Sequence, residues 1–197
     1  EVLDKLRAGL HIYVREGSGA KNLETLIKTM LDAGVCLDRC AFCTDDKHVE
    51  EIRKEGHIST CIRKAIALGV PVAKAYKMGS YQAAEFYGLK NYGAIGAGYR
   101  ADIVFLDDLE QVRPLDVMKD GRILTEEDYA KDYSVPVPDE LLHTVHVGEV
   151  TKEKIRLSCD GKTDVIQMNP HQIVTTHLVE EVPTENGYFK SDGVYNK

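Results

Sequence analysis

Three cysteines, three aspartates and a histidine lie close together in the stretch CLDRCAFCTDDKH, residues 36–48. Cys36, Cys40 and Cys43 have the C-x3-C-x2-C spacing by which three thiolates can hold a [4Fe–4S] cluster. Thiolates and imidazoles are also common ligands of zinc. The stretch therefore raises three possibilities: an iron–sulfur site, a zinc site, or a cysteine-rich strand that ends in catalytic acids.

Strand geometry argues against a site that these sulfur atoms share. Residues 39–44, RCAFCT, have the pattern of a buried strand. Because side chains alternate along a strand, Cys40 and Cys43 are predicted to point to opposite faces. The sequence has no second C-x2-C pair for zinc, and it lacks the signature of the zinc cytidine deaminases. Since free cysteine is often buried as a small hydrophobe, we expect the three cysteines to pack in the core.

The acidic residues that follow this strand are stronger candidates for chemistry. Reactive side chains gather at the carboxyl ends of parallel strands, and Asp45 and Asp46 occupy that position. Adjacent carboxylates repel each other, so they need a cation or hydrogen-bond donors; the alternative is an Asx turn that caps a helix. Residues 15–19, REGSG, end an earlier strand in the same way, with an exposed charged pair as the alternative. His48 is a possible ligand or a solvated loop residue, and His57 is expected to be structural.

Hydrophobic periodicity and helix-stop signals predict the elements that position these residues. Two strands are predicted, at residues 11–16 and 39–44. The predicted helices run from Val2 to Gly9, Asn22 to Gly34, Ile58 to Gly69, Pro71 onward, and Ser80 to Gly88. A polar loop is expected between the second strand and the helix that follows it. The order α-β-α-β-α-α is typical of parallel βα units.

The pattern changes at residue 89, where glycines and strands replace helices. Gly93, Gly96 and Gly98 precede the strand-like ADIVFLD, whereas the glycines of a dinucleotide-binding site follow a strand and open a helix. Asp120-Gly121 predicts a two-residue hairpin turn. Residues 133–140 are predicted to be a linker. The rest is predicted to be β-rich, with turns at Asp160-Gly161 and Asn169-Pro170.

Composition excludes several classes of function. The chain has 197 residues, 43% of them hydrophobic and 29% charged, with a net charge of −7. An acidic chain does not suit a nucleic-acid surface, and no apolar run reaches the roughly 18 residues of a membrane span. Five cysteines, four of them in the first third of the chain, favour a reducing cytoplasmic location. The chain starts within a helical pattern, without Met, and we expect it to be part of a larger protein.

Two sets of motifs carry a resemblance to a known family. GAIGAGYRADIVFLD (93–107), followed by VMKDGRI (117–123), resembles the segment with which amidohydrolase-superfamily enzymes return from a (β/α)8 barrel to a small β-sandwich. More narrowly, VREGSGAKNL, FCTDDKH, EGHI and HLVEEV resemble bacterial adenine deaminases, and the resemblance extends over essentially the whole chain. It implies an α/β fold in three parts. Residues 1–88 would hold the last two βα units of the metal-dependent hydrolase barrel, 89–133 the β-sandwich strands, and 134–197 the start of a β-rich α+β C-terminal domain.

The resemblance also implies a reaction and a site. The reaction is hydrolytic deamination of adenine to hypoxanthine and ammonia, by a water that a binuclear manganese, iron or zinc centre activates. Asp45, after the last barrel strand, would be a metal ligand and would move a proton toward the purine and the leaving amine. Five further residues are implied as purine-binding or supporting residues: Arg15, Glu16, Ser18, Asp46 and His48.

The sequence departs from this family in two respects that leave alternatives open. No H-x-H metal motif occurs, and most barrel strands are missing. We therefore expect the metal pair not to bind this chain alone, and its partners to be a purine, the rest of an enzyme chain and a possible second copy. The alternatives are a non-catalytic structural or assembly module, and an amidohydrolase that acts on another purine or a cyclic amide.

Overall fold

A computed structural model of the chain describes residues 1–131, 134–170 and 172–193. The chain divides into two compact units, the first formed mainly by residues 1–130 and the second by residues 131–170 and 174–197. Across the described ranges, every helix is too short or too polar to serve as a transmembrane span.

The first unit alternates helices and strands before it becomes β-rich. Its helices are α1 (Val2–Arg7), α2 (Leu23–Asp32), α3 (Val49–Glu55), α4 (Ile58–Ala67), α5 (Val72–Gly79), α6 (Tyr81–Phe86) and α7 (Glu126–Ala130). Its strands are β1 (Ile12–Arg15), β2 (Cys40–Cys43), β3 (Ile103–Leu106), β4 (Pro114–Lys119) and β5 (Arg122–Ile123).

Strands β1 and β2 pair in parallel, with Ile12 opposite Cys40 and Arg15 opposite Cys43. One face of this pair carries Ile12, Val14, Cys40 and Phe42, which belong to the hydrophobic core. Alternation places Tyr13, Arg15, Ala41 and Cys43 on the opposite face. The two strands therefore end at the same edge, where the segments that follow them begin.

The core lies between this strand pair and three helices. Helix α2 buries Leu23, Ile27 and Met30, whose spacing of four and three residues puts them on one helical face. Helices α4 and α5 contribute the rest of the packed layer, including Cys61, Ile62, Ala65, Ala75 and Met78. The parallel strands are thus fixed from one side by apolar packing.

The β-rich part of the first unit is an antiparallel sheet in the order β3-β4-β5. Asp120 and Gly121 connect β4 to β5 with φ angles of +50° and +81°, as the predicted two-residue hairpin requires. The sheet is tied to the helices through the Tyr76 hydroxyl, which donates to the Leu109 carbonyl at 2.7 Å, and through Val112, which is buried in the core.

The second unit contains two short helices, α8 (Asp139–Leu142) and α9 (Lys152–Ile155), within the residues described. Its strands are β6 (Lys162–Met168), β7 (Thr175–Glu181), β8 (Thr184–Glu185) and β9 (Tyr188–Phe189). The pairs β6–β7 and β8–β9 are antiparallel hairpins. The β-rich character predicted for this region is present.

The predicted α/β class is confirmed, and four local predictions need correction. Residues 49–55 form helix α3 where a polar loop was expected. Pro71 is the N-cap of α5 and not its first residue. Helix α8 begins at Asp139, inside the predicted linker; Asp132 and Tyr133 lie outside the described residues. The core position predicted for Cys36 is wrong, because Cys36 is exposed and donates its thiol hydrogen to Asp38.

The cysteines give a test of this core. Burial raises the pKa of Cys40 to about 11 and that of Cys61 to about 12, whereas Cys36 lies on the surface. Because the thiolate is the reactive form, we expect iodoacetamide at mildly alkaline pH to label Cys36 and to leave Cys40 and Cys61 unmodified in the folded chain. Peptide mass spectrometry measures this, and labelling in urea is the control. Equal labelling of Cys36 and Cys40 before unfolding would contradict the packing.

Candidate active site

The candidate site lies at the edge where β1 and β2 end. Residues 16–19 follow β1 and residues 44–48 follow β2, and the parallel pairing brings the two segments together. The backbone joins them directly, because the Glu16 amide donates to the Cys43 carbonyl at 3.0 Å. The sequence-predicted residues are therefore neighbours in the fold.

Arg15 connects the two aspartates. Its Nη1 lies 2.6 Å from Oδ2 of Asp45, and its Nη2 lies 3.1 Å from Oδ1 of Asp46. The side chain of Asp45 is 51% exposed, and its backbone has a φ of +51°, a left-handed conformation that few residue types adopt but that aspartate tolerates. Asp45 thus presents its carboxylate to solvent while one guanidinium nitrogen holds it.

Asp46 is bound from the β1 side. Its Oδ2 accepts a hydrogen bond from the Gly19 amide at 2.9 Å. That backbone bond is the largest influence on the carboxyl, and together with the Asp46 backbone amide and Arg15 it outweighs burial and holds the pKa of Asp46 below its usual value. This carboxylate is therefore an ionised acceptor for groups of the neighbouring segment.

Ser18 forms a second link between the two segments. Its hydroxyl accepts a hydrogen bond from the His48 amide at 2.9 Å and donates to Glu51 at 2.5 Å. His48 precedes α3 as its N-cap, and its imidazole is exposed. The backbone of His48 and the side chain of Ser18 thus fix the start of α3 beside the end of β1.

Glu16, which the resemblance implies as a purine-binding or supporting residue, is a buried structural acceptor in this fold. It is only 4% exposed, its Oε1 lies 2.6 Å from Lys64 Nζ, and its Oε2 accepts from the Leu23 amide at 3.3 Å. Leu23 is the first residue of α2, whose N-cap Asn22 makes no side-chain capping bond. The Glu16 carboxylate therefore satisfies an amide at the start of α2 that the N-cap side chain does not bind.

Removal of the Glu16 carboxylate should destabilise the fold. Glu16→Ala leaves the Leu23 amide without its buried acceptor, which we expect to lower the free energy of unfolding by about 1–3 kcal/mol. Glu24→Ala, at an exposed position in the first turn of the same helix, is the matched control and should change stability by less than about 0.5 kcal/mol. Urea unfolding measures both. Equal stability of the two variants would refute the role of Glu16.

His57 contacts the end of β2 through Thr44. Its Nε2 forms a 2.8 Å hydrogen bond with the hydroxyl of Thr44, the buried residue immediately before Asp45. His57 is also the N-cap of α4. The structural role predicted for His57 therefore has a specific partner.

The described residues do not by themselves form a metal centre. Asp45 offers one exposed carboxylate, which suits a single ligand position for a divalent cation. Within residues 1–131, 134–170 and 172–193, however, no three histidine, cysteine or acidic side chains come together in a group that could hold a metal ion. The donor set of these described residues therefore fits one ligand of such a centre and not the whole of it.

Comparison with known proteins identifies relatives along nearly the whole chain. The adenine deaminase of Desulfitobacterium hafniense (strain Y51) is 38% identical over 196 residues, which is 99% of this chain and 34% of that protein. The adenine deaminase of Methylobacterium nodulans (strain LMG 21967) is 40% identical over 189 residues, 95% of this chain and 33% of that protein. This chain thus spans about a third of the length of the curated relatives that it matches.

The fold has a counterpart among solved structures. The β-aspartyl dipeptidase of Fervidobacterium islandicum AW-1 superposes with a TM-score of 0.51 over 68% of this chain and 38% of that protein, at 19% sequence identity. At this identity the likeness concerns the fold alone. The model of the Amidohydrolase family matches residues 2–124, the region that contains both parallel strands and the β3–β5 sheet. This chain therefore belongs to the amidohydrolase family.

Proposed function

We propose that this chain is the part of an adenine deaminase that presents Asp45 to the reacting purine. The observation that carries the proposal is the position of Asp45, which follows a parallel strand, exposes its carboxylate and is held by Arg15. Relatives named adenine deaminase match the chain on both sides of this residue. The reaction would replace the exocyclic amine of adenine with oxygen from water, giving hypoxanthine and ammonia.

The fold proposal is that β1 and β2 are the last two strands of a (β/α)8 barrel. In the part of the chain that the structure describes, these strands pair only with each other, so each has an outer edge available to a further strand. The other barrel strands would come from the remainder of the enzyme. Strands β3–β5 would then belong to the returning β-sandwich, and residues 134–197 to a C-terminal domain.

Asp45 would have two tasks in the reaction. It would be one carboxylate ligand of a divalent metal centre, of manganese, iron or zinc, whose other ligands lie outside this chain. When bound, such a centre lowers the pKa of a water molecule and so supplies a nucleophile at neutral pH. Asp45 would accept a proton from the attacking water at a carboxylate oxygen and return it to the ring nitrogen or the leaving amine, a transfer in which the proton is conserved.

The surrounding residues would shape and orient the site. Arg15 would direct the Asp45 carboxylate, and the exposed imidazole of His48 is available to a substrate. The side chains of Glu16 and Ser18 already bind Lys64 and Glu51, so these two residues would support the purine pocket by fixing its walls. The chain would work in the cytoplasm, because its five free cysteines suit a reducing environment. Association with a second copy of the chain is part of the same proposal.

A chimera tests the proposal. In it, this chain replaces the aligned third of the Desulfitobacterium hafniense enzyme, which serves as the control. With Mn(II) or Fe(II) supplied, we expect conversion of adenine to hypoxanthine with equimolar release of ammonia. A folded chimera, as judged by circular dichroism and gel filtration, that leaves adenine unchanged would count against the proposal.

The same chimera separates the alternatives. Turnover of another aminopurine or of a cyclic amide in preference to adenine would indicate a different amidohydrolase substrate. Absence of turnover with every substrate in a folded chimera would favour a non-catalytic assembly module, a role that the incomplete donor set in the described residues also suits. Preference for adenine would exclude both.

A further inference from the structure

Asp46 is restrained through both oxygens of its carboxylate. Oδ1 accepts from Arg15 Nη2 at 3.1 Å, and Oδ2 accepts from the Gly19 amide at 2.9 Å. Both donors belong to the segment that ends β1, whereas Asp46 belongs to the segment that follows β2. Asp46 thus locks one segment against the other, next to the exposed Asp45.

Gly17 provides the space that Asp46 occupies. A Cβ atom at residue 17 would overlap Oδ1 of Asp46 and would lie 3.2 Å from the Thr44 carbonyl oxygen. The φ angle of Gly17 is outside the left-handed region, so other residue types could adopt its backbone conformation. The requirement for glycine is therefore steric, and it exists because the Asp46 carboxylate lies against the backbone.

Arg15 transmits this restraint to Asp45. Its guanidinium is planar and rigid, so the bond of Nη2 to Asp46 determines where Nη1 points. The side chain is only 23% exposed, and its Nε is buried without a hydrogen-bond partner among the described residues. The position of the guanidinium therefore depends on the two carboxylates, and Asp46 is the one that the backbone anchors.

We propose that Asp46 and Gly17 are positioning residues that hold the Arg15 guanidinium beside Asp45. The catalytic consequence rests on the proposed function, because it requires Asp45 to touch the reacting purine. The clamp itself, formed by Arg15, Gly17, Asp46 and the Gly19 amide, is a property of this chain. The clamp would keep the Asp45 carboxylate correctly oriented. Orientation matters because displacement of a reacting group by about 1 Å can lower the rate about a hundredfold.

Kinetics of the chimera test the catalytic consequence. Asp46→Ala and Gly17→Ala should each lower kcat for adenine by about 10- to 100-fold without raising KM, the size expected when a group that orients a reacting side chain is lost. The double variant should lose no more than either single variant, because both changes release the same guanidinium. Asp46→Asn, which keeps the shape of the side chain, should retain more activity than Asp46→Ala. Wild-type kcat in Asp46→Ala, or additive losses in the double variant, would overturn the proposal.

Amide hydrogen exchange tests the clamp without reference to activity. In this chain, the Gly19 amide should exchange slowly in the wild type and faster in Asp46→Ala and Gly17→Ala, while the core amides of α2 stay protected. Asp4→Ala, an exposed change on α1, is the control and should leave Gly19 unchanged. Unchanged Gly19 exchange in Asp46→Ala would overturn the clamp. If the Gly19 amide exchanged faster in Asp46→Ala and Gly17→Ala while the chimera with the unchanged chain was inactive, the clamp would be supported and the proposed deaminase function would be rejected.

Discussion

Replacing Asp45 with asparagine in the chimera is expected to lower kcat for adenine by about a hundred- to ten-thousandfold, the contribution of a positioned proton-transfer group. The amide has nearly the shape of the carboxylate but cannot accept the proton from water. Asparagine also tolerates the left-handed φ of +51° found at this residue. Since the Asp45 side chain is half exposed, the free energy of unfolding should change little.

The control for this result is Asp4→Asn. Asp4 is 75% exposed on α1 and has ion pairs only with nearby groups of the same segment in the part described, so its loss should leave kcat unchanged. Steady-state ammonia release measures kcat of both variants, and thermal unfolding measures their stability. Near-normal turnover by Asp45→Asn would remove Asp45 from the mechanism.

Ile27→Ala is expected to give the largest loss of stability among the changes considered. Ile27 has no exposed surface and lies between Leu23 and Met30 on the buried face of α2. Deleting most of a buried isoleucine side chain removes apolar contacts and leaves a cavity, which costs about 2–5 kcal/mol. Urea unfolding of this chain, followed by circular dichroism, measures the difference.

Two companion variants sharpen this prediction. Ile27→Val removes less of the side chain and should cost about 0.5–1.5 kcal/mol. Lys28→Ala changes the next residue, whose side chain is 57% exposed, and should stay within about 0.5 kcal/mol of the wild type. If Ile27→Ala and Lys28→Ala were equally stable, α2 would not pack as described.

Local sequence pattern was sufficient to predict the helices with a strong apolar face. The spacing of Leu23, Ile27 and Met30 predicts α2, and glycine marks its end. Helix α3 was missed because residues 49–55, VEEIRKE, contribute no buried side chain and have only two apolar residues. Its start is fixed by contact between its N-cap amide and Ser18, thirty residues earlier, which no local pattern can indicate.

The sequence predicts where the site lies, but it does not predict which side chains pair with each other there. Strand-end reasoning predicts that residues 15–19 and Asp45 are candidates for the same chemistry, because parallel strands end at one edge. The pairing of Arg15 with Asp45 and Asp46 depends on the register that sets Arg15 opposite Cys43. Register is a tertiary property, and the sequence alone allowed Arg15 to face a purine instead. The role of Arg15 as a direct purine ligand stays a prediction.

The burial of Glu16 could not be predicted from the sequence either. Glu16 sits next to Arg15 in a polar segment, which is the usual setting of a solvated acid. Its burial follows from the return of the chain, which brings the α2 terminus and Lys64 to its two oxygens. Cys36 is the converse case, because a residue type that is usually buried is exposed here, in the segment between α2 and β2.

Ammonia release from adenine by the folded, metal-supplied chimera tests directly whether this chain supplies the catalytic carboxylate of an adenine deaminase. We expect turnover comparable to that of the intact Desulfitobacterium hafniense enzyme, and its loss when Asp45 becomes asparagine. A folded chimera that releases no ammonia would refute the adenine deaminase function, and one that releases it equally well without the Asp45 carboxylate would refute the role of Asp45.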